Sequence, residues 1–233
     1  IAEVDPDGRI RGKAMVVGAT GAIGSVCARL LAHACDELWL VSPETAKLLT
    51  IKHDIERESP RAEIHVSGRA GDQLAEMDLI VTATSAAGQK VLDIMKVKPG
   101  CVITDVARPL DLSAEDVAKR PDVLVIESGE IELPGENVRM RNIGLPKGVA
   151  YACLAETVVL ALEGRYENFT VGRNIEWEKV KEIYQLGLKH GMKLATISGV
   201  RGVFTEEDFA RVREKALAAR RKAAGLPEEE SKG

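Results

Sequence analysis

Aromatic side chains are scarce in this sequence, and their scarcity excludes one class of partner. They make up 3% of the 233 residues. Proteins that bind single-stranded nucleic acid stack the bases on several rings of one face, so no such platform is expected. The chain also lacks an excess of basic residues, since 32 Lys and Arg face 36 Asp and Glu for a net charge of −4. No overall positive field therefore attracts nucleic acid or an anionic membrane.

Cysteines are few as well, and their spacing excludes the usual zinc sites. The four cysteines are Cys27, Cys35, Cys101 and Cys153. They form no C-x-x-C pair and no secretory signal precedes them, so reduced thiols in a cytoplasmic protein are expected, without disulfides or a metal site. Nor is there an apolar run of the roughly 20 residues that a membrane span needs.

The start of the chain suggests a piece of a longer protein. The first residue is Ile1 rather than Met, and the polar segment 5–8 precedes the first apolar run. We therefore expect a domain that continues a longer chain. A length of 233 residues still suffices for one large core, because single cores grow to about 250–300 residues.

Residues 13 to 127 alternate short apolar runs with longer stretches of helical spacing, which is typical of an α/β sheet. The runs predict strands near 14–18, 38–42, 63–66, 78–83, 101–105 and 123–127. The stretches between them predict helices near 22–33, 44–56, 88–95 and 113–119. Nearly continuous apolarity in the strands suits a sheet that helices cover on both faces. The pattern therefore predicts a Rossmann-type fold with a doubly wound parallel sheet.

Helical patterns dominate after residue 130. They predict helices over 149–163, 176–191 and 205–224, the last with Thr205 as its N-cap. These patterns divide the chain into three parts. We expect a Rossmann domain over 1–145, a carboxyl-terminal helical portion over 146–225 and a disordered tail over 226–233.

A glycine-rich turn separates the first predicted strand from the first predicted helix. Glycines at such a turn let backbone N–H groups approach a pyrophosphate, and the helix N-terminus adds partial positive charge. The residues expected to bind a dinucleotide here are Gly18, Thr20, Gly21, Ala22, Ile23 and Gly24. A turn whose glycines serve only packing is the alternative.

The end of the second predicted strand bears on which dinucleotide would bind. Ser42 stands where an NAD site usually offers a carboxylate to the ribose 2′-hydroxyl. An uncharged residue there does not repel a 2′-phosphate, and Lys47 lies just beyond it, so the sequence favours NADPH. Glu44 is the argument for NAD instead.

Ala83, Thr84 and Ser85 close the fourth predicted strand. Ligands of open α/β sheets bind at the carboxyl ends of the strands. We therefore expect these three residues to line the nicotinamide end of the cofactor, or else to cap the loop.

Cys153 lies near the start of the predicted helix over 149–163, with Lys147 close in sequence. A helix N-terminus and a nearby cation favour the thiolate, the form that acts as a nucleophile. A free cysteine in an apolar helix is otherwise a small core residue. Sequence position alone leaves both interpretations open.

Five motifs follow one another in the second half of the chain: Ala152-Cys153-Leu154-Ala155-Glu156, Leu162-Glu163-Gly164, Asn168-Phe169, Val171-Gly172-Arg173-Asn174 and Lys189-His190-Gly191. With the glycine-rich turn, they resemble the carboxyl-terminal part of the cyanobacterial long-chain acyl-[acyl-carrier-protein] reductases, or a close predicted-dehydrogenase relative. The resemblance covers most of residues 14–191. Asp105, Gly129 and Pro146 also fall where that family has such residues.

The resemblance implies NADPH-dependent reduction of a fatty acyl thioester, on acyl carrier protein or CoA, to an aldehyde. The family's catalytic cysteine falls on Cys153, which would hold the acyl group. His190 also matches and would handle protons, or would only cap its helix. The family's amino-terminal domain is missing here, and Ser42 with Pro43 replaces more basic residues.

Two other functions remain open at this point. One is a dehydrogenase of the shikimate or amino-acid type, which transfers hydride directly without a covalent intermediate. The other is a nucleotide-binding module with no chemistry of its own.

Overall fold

The computed structural model describes residues 3–86, 88–136, 138–200 and 202–226. By their contacts, the described residues form two compact units, the first from Ile1–Glu127 with Ser198–Gly233 and the second from Ser128–Ile197. This boundary differs from the division after residue 145 expected from the sequence. Of the tail expected over 226–233, only Leu226 lies among the described residues.

The elements are numbered along the chain. The strands are β1 (Glu3–Val4), β2 (Ile10–Val17), β3 (Cys35–Val41), β4 (Glu63–Ser67), β5 (Leu79–Thr82), β6 (Val102–Asp105), β7 (Leu124–Glu127), β8 (Glu130–Glu132), β9 (Val149–Tyr151), β10 (Lys193–Leu194), β11 (Ser198–Gly199) and β12 (Gly202–Val203). The α-helices are α1 (Ala22–Ala34), α2 (Thr45–Glu56), α3 (Ala114–Ala118), α4 (Ala152–Leu162), α5 (Trp177–Lys189) and α6 (Glu206–Ala223).

The first unit is built around a mostly parallel sheet. Its strand order is β12-β11-β7-β6-β5-β2-β3-β4, with β1 paired to β2. Six of these strands, in the sheet order β7-β6-β5-β2-β3-β4, run parallel to one another. Numbered by their order along the chain they lie as 3-2-1-4-5-6, which is the Rossmann order. The predicted fold class and all six predicted strands are confirmed.

Strand β2 is buried on both of its faces. Met15 and Val17 belong to one apolar cluster, and Ala14 and Val16 belong to the other. Successive side chains of a strand point to opposite faces of the sheet. The uninterrupted apolar run in this strand is therefore the consequence of an apolar layer on each side.

The helix predicted over 88–95 is wrong. Gly88 has a φ of 78°, which lies outside the right-handed helical region. The segment forms only a 3-10 turn over Ile94–Lys96, where the Asp93 side chain accepts a hydrogen bond from the Met95 N–H. Asp readily forms such local bonds to the backbone, and they compete with a continuous helix.

The other predicted helices are confirmed within a few residues, although α4 starts late. Residues 149–151 form strand β9, so α4 begins at Ala152 rather than at 149. Thr205 caps α6 as expected, since its side chain and that of Asp208 form a reciprocal capping box.

The second unit combines α4 and α5 with a small antiparallel sheet of order β10-β8-β9. Its hydrophobic cluster consists of the buried residues Ala155, Val159 and Met192, with partly buried apolar residues around them. The sequence pattern did not predict this sheet, because strands of two or three residues are too short to show alternation. Within the described residues, no helix has the length and apolarity to cross a membrane.

Candidate functional site

The glycine-rich turn joins β2 to α1 at the carboxyl edge of the parallel sheet. Gly18 has a φ of 87°, and a Cβ there would lie 2.6 Å from the Ala83 carbonyl oxygen. A Cβ on Gly24 would lie 2.1 Å from the Gly18 carbonyl oxygen. Both glycines are thus required by close approach of the backbone, which keeps α1 tight against the ends of β2 and β5.

The N-terminus of α1 offers N–H groups that no side chain caps. Gly21 is the N-cap residue and makes no side-chain hydrogen bond to the first turn. The first N–H groups of any helix have no partner within the helix. In α1 these N–H groups include those of Ala22 and Ile23 in the first turn. The Ile23 side chain is 54% exposed, so this end of the helix is accessible. An anion such as a diphosphate fits this accessible helix terminus.

A hydrogen-bonded group links the turn to the end of β3. The Thr20 hydroxyl lies 2.7 Å from the Ser42 hydroxyl, and it donates to the Glu44 carboxylate at 2.7 Å. Glu44 in turn pairs with Lys47 at 3.2 Å. Ser42 is buried, and the carboxylate that Thr20 contacts belongs to Glu44, three positions after the strand. The sequence had left the choice between Ser42 and Glu44 open, and the structure brings both to the glycine-rich turn through Thr20.

Two aspartates lie behind the end of β5, of which sequence reasoning named Asp105 only as a family match and missed Asp111. The Thr84 N–H and hydroxyl both donate to Asp111, at 3.0 Å and 2.5 Å. The Asp111 N–H donates to Asp105 at 2.8 Å, and so does that of Leu112 at 3.0 Å. Burial raises the pKa of Asp105, although these N–H groups favour its charged form. The polar groups of Thr84 therefore hold the loop, whereas the neighbouring Ser85 is exposed.

Cys153 is the second residue of α4 and is the exposed member of the four cysteines. The helix has Tyr151 as its N-cap residue and no side-chain cap. Burial raises the pKa of Cys27, that of Cys35 to about 11 and that of Cys101 to about 12. These three thiols are therefore held protonated at neutral pH, while Cys153 is accessible to a thioester.

His190 lies at the far end of the second unit's helices. It is the C-cap residue of α5, and its Nε2 lies 2.5 Å from the Glu163 carboxylate. Lys189 donates to the same carboxylate at 2.7 Å, and the two contacts lower the pKa of Glu163. Glu163 follows Cys153 by ten positions at about 1.5 Å each, so about 15 Å of α4 separates them. The structure does not bring His190 and Cys153 together.

None of the described ranges brings three His, Cys, Asp or Glu side chains together in a way that could hold a metal ion. The carboxylates of Asp105 and Asp111 instead accept hydrogen bonds from backbone N–H groups and from the Thr84 hydroxyl. The described residues thus offer two features for chemistry, the uncapped N-terminus of α1 in the first unit and the exposed thiol of Cys153 in the second.

Relatives found by sequence include an aminotransferase and an acyl-[acyl-carrier-protein] reductase, and no family model matches the chain. Aminotransferase PigE of Serratia sp. (strain ATCC 39006) is 38% identical over 140 residues, which are 58% of this chain and 16% of that protein. The long-chain acyl-[acyl-carrier-protein] reductase of Synechococcus elongatus is 29% identical over 185 residues, which are 76% of this chain and 52% of that protein. The matched region thus spans about one sixth of the first relative and about half of the second.

Solved structures with some similarity include two alcohol dehydrogenases. The thermostable enzyme of Pyrobaculum aerophilum has a TM-score of 0.35 and 20% identity, over 53% of this chain and 35% of that one. The bulky-bulky ketone specific enzyme of Comamonas testosteroni has a TM-score of 0.33 and 12% identity, over 94% of this chain and 96% of that one. The fold assignment rests on the strand order itself.

Proposed function

We propose that this chain is the cofactor-binding and acyl-accepting part of a reductase that converts a fatty acyl thioester to an aldehyde. The observation that carries the proposal is Cys153, an exposed thiol at the start of a helix, within the motif that resembles the acyl-[acyl-carrier-protein] reductases. A relative of that name shares 29% identity over 76% of the chain, which supports the same reading.

The proposed cofactor is a nicotinamide dinucleotide, with its diphosphate at the uncapped N-terminus of α1. Its adenosine ribose would lie near Ser42 and Glu44, and Ala83, Thr84 and Ser85 would border its nicotinamide end. NADPH is the form we expect, because Ser42 is uncharged and because Lys47 at 3.2 Å offsets the charge of Glu44. When bound, the reduced dinucleotide supplies the hydride that converts the acyl group to the aldehyde.

The proposed role of Cys153 is nucleophilic. Its sulfur attacks the thioester carbonyl carbon, the bond from that carbon to the carrier sulfur breaks, and the carrier thiolate leaves and takes a proton from water. The acyl group is then a thioester of Cys153. Reduction of this acyl group by two electrons and breakage of its bond to Sγ would release the aldehyde and return the cysteine as a thiolate. We place no proton transfer at His190. It contacts Glu163 at the C-terminal end of α4, whereas Cys153 lies at the N-terminal end.

The test is aldehyde production by the full-length protein from a long-chain acyl-CoA, with NADPH and with NADH. Cys153→Ser should reduce the rate by at least a thousandfold and leave dinucleotide affinity unchanged, because the two depend on different units. Cys27→Ser is the matched control and should keep the activity, since Cys27 lies within α1. Aldehyde formation at the wild-type rate by Cys153→Ser would replace the proposal with direct hydride transfer.

A further inference from the structure

An apolar cavity of about 280 Å³ opens between α4 and α5 in the second unit. On α4 it is lined by Ala152, Ala155, Glu156 and Val159, which recur at the spacing of one helix face. Small side chains at 152 and 155 leave room on this helix. The floor of the cavity includes Val159, which is 2% exposed.

Helix α5 closes the other side with a second regular face. Its lining residues include Ile183, Tyr184 and Gly187, and the turn after α5 adds Met192. Gly187 is buried and has no side chain to fill the space opposite the alanines of α4. The small residues on the two helices therefore leave room for the cavity, and most of its lining residues are apolar.

Cys153 stands at the margin of this cavity. It follows the lining residue Ala152 directly and precedes the lining residue Glu156 by three positions. Residues three apart on a helix are surface neighbours, with Cβ atoms about 5–6 Å apart. The thiol thus neighbours the lining position Glu156, while the buried lining residue Val159 lies between one and two turns further along α4.

Glu156 is the polar lining residue next to Cys153, and Tyr184 and Lys193 add polar groups elsewhere in the lining. The Glu156 carboxylate accepts hydrogen bonds from the N–H and the hydroxyl of Thr170, so it is held at the edge. A ligand with one polar end and one aliphatic end matches this distribution, because its polar end would stay beside Glu156 and Cys153 while its chain fills the aliphatic floor.

We infer that this cavity receives the aliphatic chain of the acyl group carried by Cys153. The inference rests on the proposed function and adds to it a chain-binding site within this chain itself. Selection for long acyl groups would then arise partly from burial of methylene groups between α4 and α5, a gain that grows with the apolar area removed from water.

The first arm of the test measures chain binding without covalent chemistry. Calorimetry of sodium hexanoate, octanoate and decanoate with full-length Cys153→Ser protein should show affinity rising about fourfold per methylene until the cavity is full. Gly187→Leu fills the cavity and should weaken decanoate binding at least tenfold. A Cβ at this position meets only Met192, at 3.9 Å, so the substitution is compatible with the helix. Ala161→Leu, on the exposed opposite face of α4, is the matched control.

The second arm uses covalent labelling of the wild-type protein. Decanoyl-CoA should acylate Cys153 at least tenfold faster than acetyl-CoA, and Gly187→Leu should remove this difference. A diazirine-bearing fatty acid should photolabel peptides of α4 and α5. This experiment uses the wild-type protein alone, so it does not depend on whether a variant folds.

The outcomes separate the two proposals. Decanoate binding without any acylation would overturn the proposed function and support the chain-binding site. Equal acylation by acetyl-CoA and decanoyl-CoA, with no effect of Gly187→Leu, would overturn the inference and leave the function in place. Absence of decanoate binding together with an altered oligomeric state of Gly187→Leu would overturn it in favour of a protein contact at this surface.

Discussion

The two compact units of this chain differ in how completely they bury their apolar side chains. In the first unit, aliphatic layers cover both faces of the parallel sheet, and Met15, Leu38 and Ile103 are fully buried. In the second unit the buried core is small, and large apolar side chains such as Tyr184 and Leu188 are 59% and 54% exposed. A closed core fixes the turn that would hold a cofactor, whereas an open apolar surface leaves a thiol and a cavity accessible.

Thiol reactivity should show the largest difference between the units. Iodoacetamide at pH 8 should label Cys153 at least a thousandfold faster than Cys101, because burial raises the pKa of Cys101 to about 12. The thiolate fraction falls tenfold for each pH unit below the pKa, and an ordinary thiol has a pKa of about 8.5. Peptide mass spectrometry gives the site-resolved rates. Labelling of Cys101 or Cys35 at the rate of Cys153 would contradict a closed first unit.

Removing a cationic side chain should lower the free energy of unfolding more in the first unit than in the second. Arg120 donates to the carbonyl oxygens of Ile94 and Val97 at 2.6 and 2.8 Å and pairs with Asp122 at 2.7 Å, with its side chain only 10% exposed. Arg120→Met should cost about 3 kcal/mol, since it leaves a partly buried charge and two carbonyl groups without partners. In the second unit, Arg165→Met should cost about 1 kcal/mol or less, because the exposed carboxylates it pairs with remain solvated.

Each unit contains one tryptophan, so the two effects are separable by fluorescence. Trp39 lies in β3 and Trp177 begins α5. In a Trp177→Phe background, tryptophan fluorescence during denaturant unfolding therefore reports the first unit. In a Trp39→Phe background it reports the second unit. Equal losses for the two arginine variants would remove the contrast.

The stabilisation from the Arg120 pair should also depend on pH in a defined direction. Arg120 lowers the pKa of Asp122 below its ordinary value. A carboxyl group with a lowered pKa in the folded state contributes stability above its unfolded pKa of about 3.9, and this contribution is lost as pH falls through the folded value. The difference between wild type and Arg120→Met should thus shrink below about pH 3.9. A difference that stays constant down to pH 2.5 would contradict the ion pair.

Dinucleotide binding tests whether the glycine-rich turn is as tightly fixed as its contacts indicate. Gly24→Ala should weaken binding at least tenfold, because its Cβ would meet the Gly18 carbonyl oxygen at 2.1 Å and displace α1. Gly21→Ala should have a smaller effect, since the corresponding distance is 3.3 Å. Calorimetry with NADPH and NADH gives the affinities, and circular dichroism shows whether each variant is folded. The reverse order of effects would place the ligand elsewhere.

The smallest expected effect concerns the choice between the two cofactors. Glu44→Gln should raise the ratio of NADPH to NADH affinity by about fivefold, because it removes a carboxylate 2.7 Å from Thr20 that would repel a 2′-phosphate. Glu56→Gln, at the other end of α2, is the control. A ratio unaffected by Glu44→Gln would show that the 2′-position lies away from this corner.

Sequence reasoning predicted the first unit well, because its apolar strand runs and the helical spacing between them are strong local patterns. All six strands of the Rossmann order were found, and Thr205 caps α6 as expected. The helix predicted over 88–95 does not form, because Gly88 and Asp93 favour turn conformations. The spacing of the apolar residues, on which the prediction was based, carries no information about these turns.

The second unit and the details of the site were harder to predict. Strands β8 to β10 have two or three residues, and the pairing of β8 with β10 joins residues 131–132 with 193–194 across about sixty positions of sequence. The Asp105–Asp111–Thr84 chain of hydrogen bonds also depends on a loop conformation. The partnership of His190 with Glu163 needed the relative placement of two helices, so the proton-handling role remained open until the structure separated His190 from Cys153.

The most direct test of the central claim is to trap the acyl group on the protein. Full-length protein is mixed with decanoyl-CoA in the absence of dinucleotide, and intact mass with peptide mapping locates the adduct. We predict a single decanoyl thioester on Cys153 that NADPH then removes with release of one equivalent of decanal. An adduct on another residue, or decanal produced at the wild-type rate by Cys153→Ser, would contradict the account.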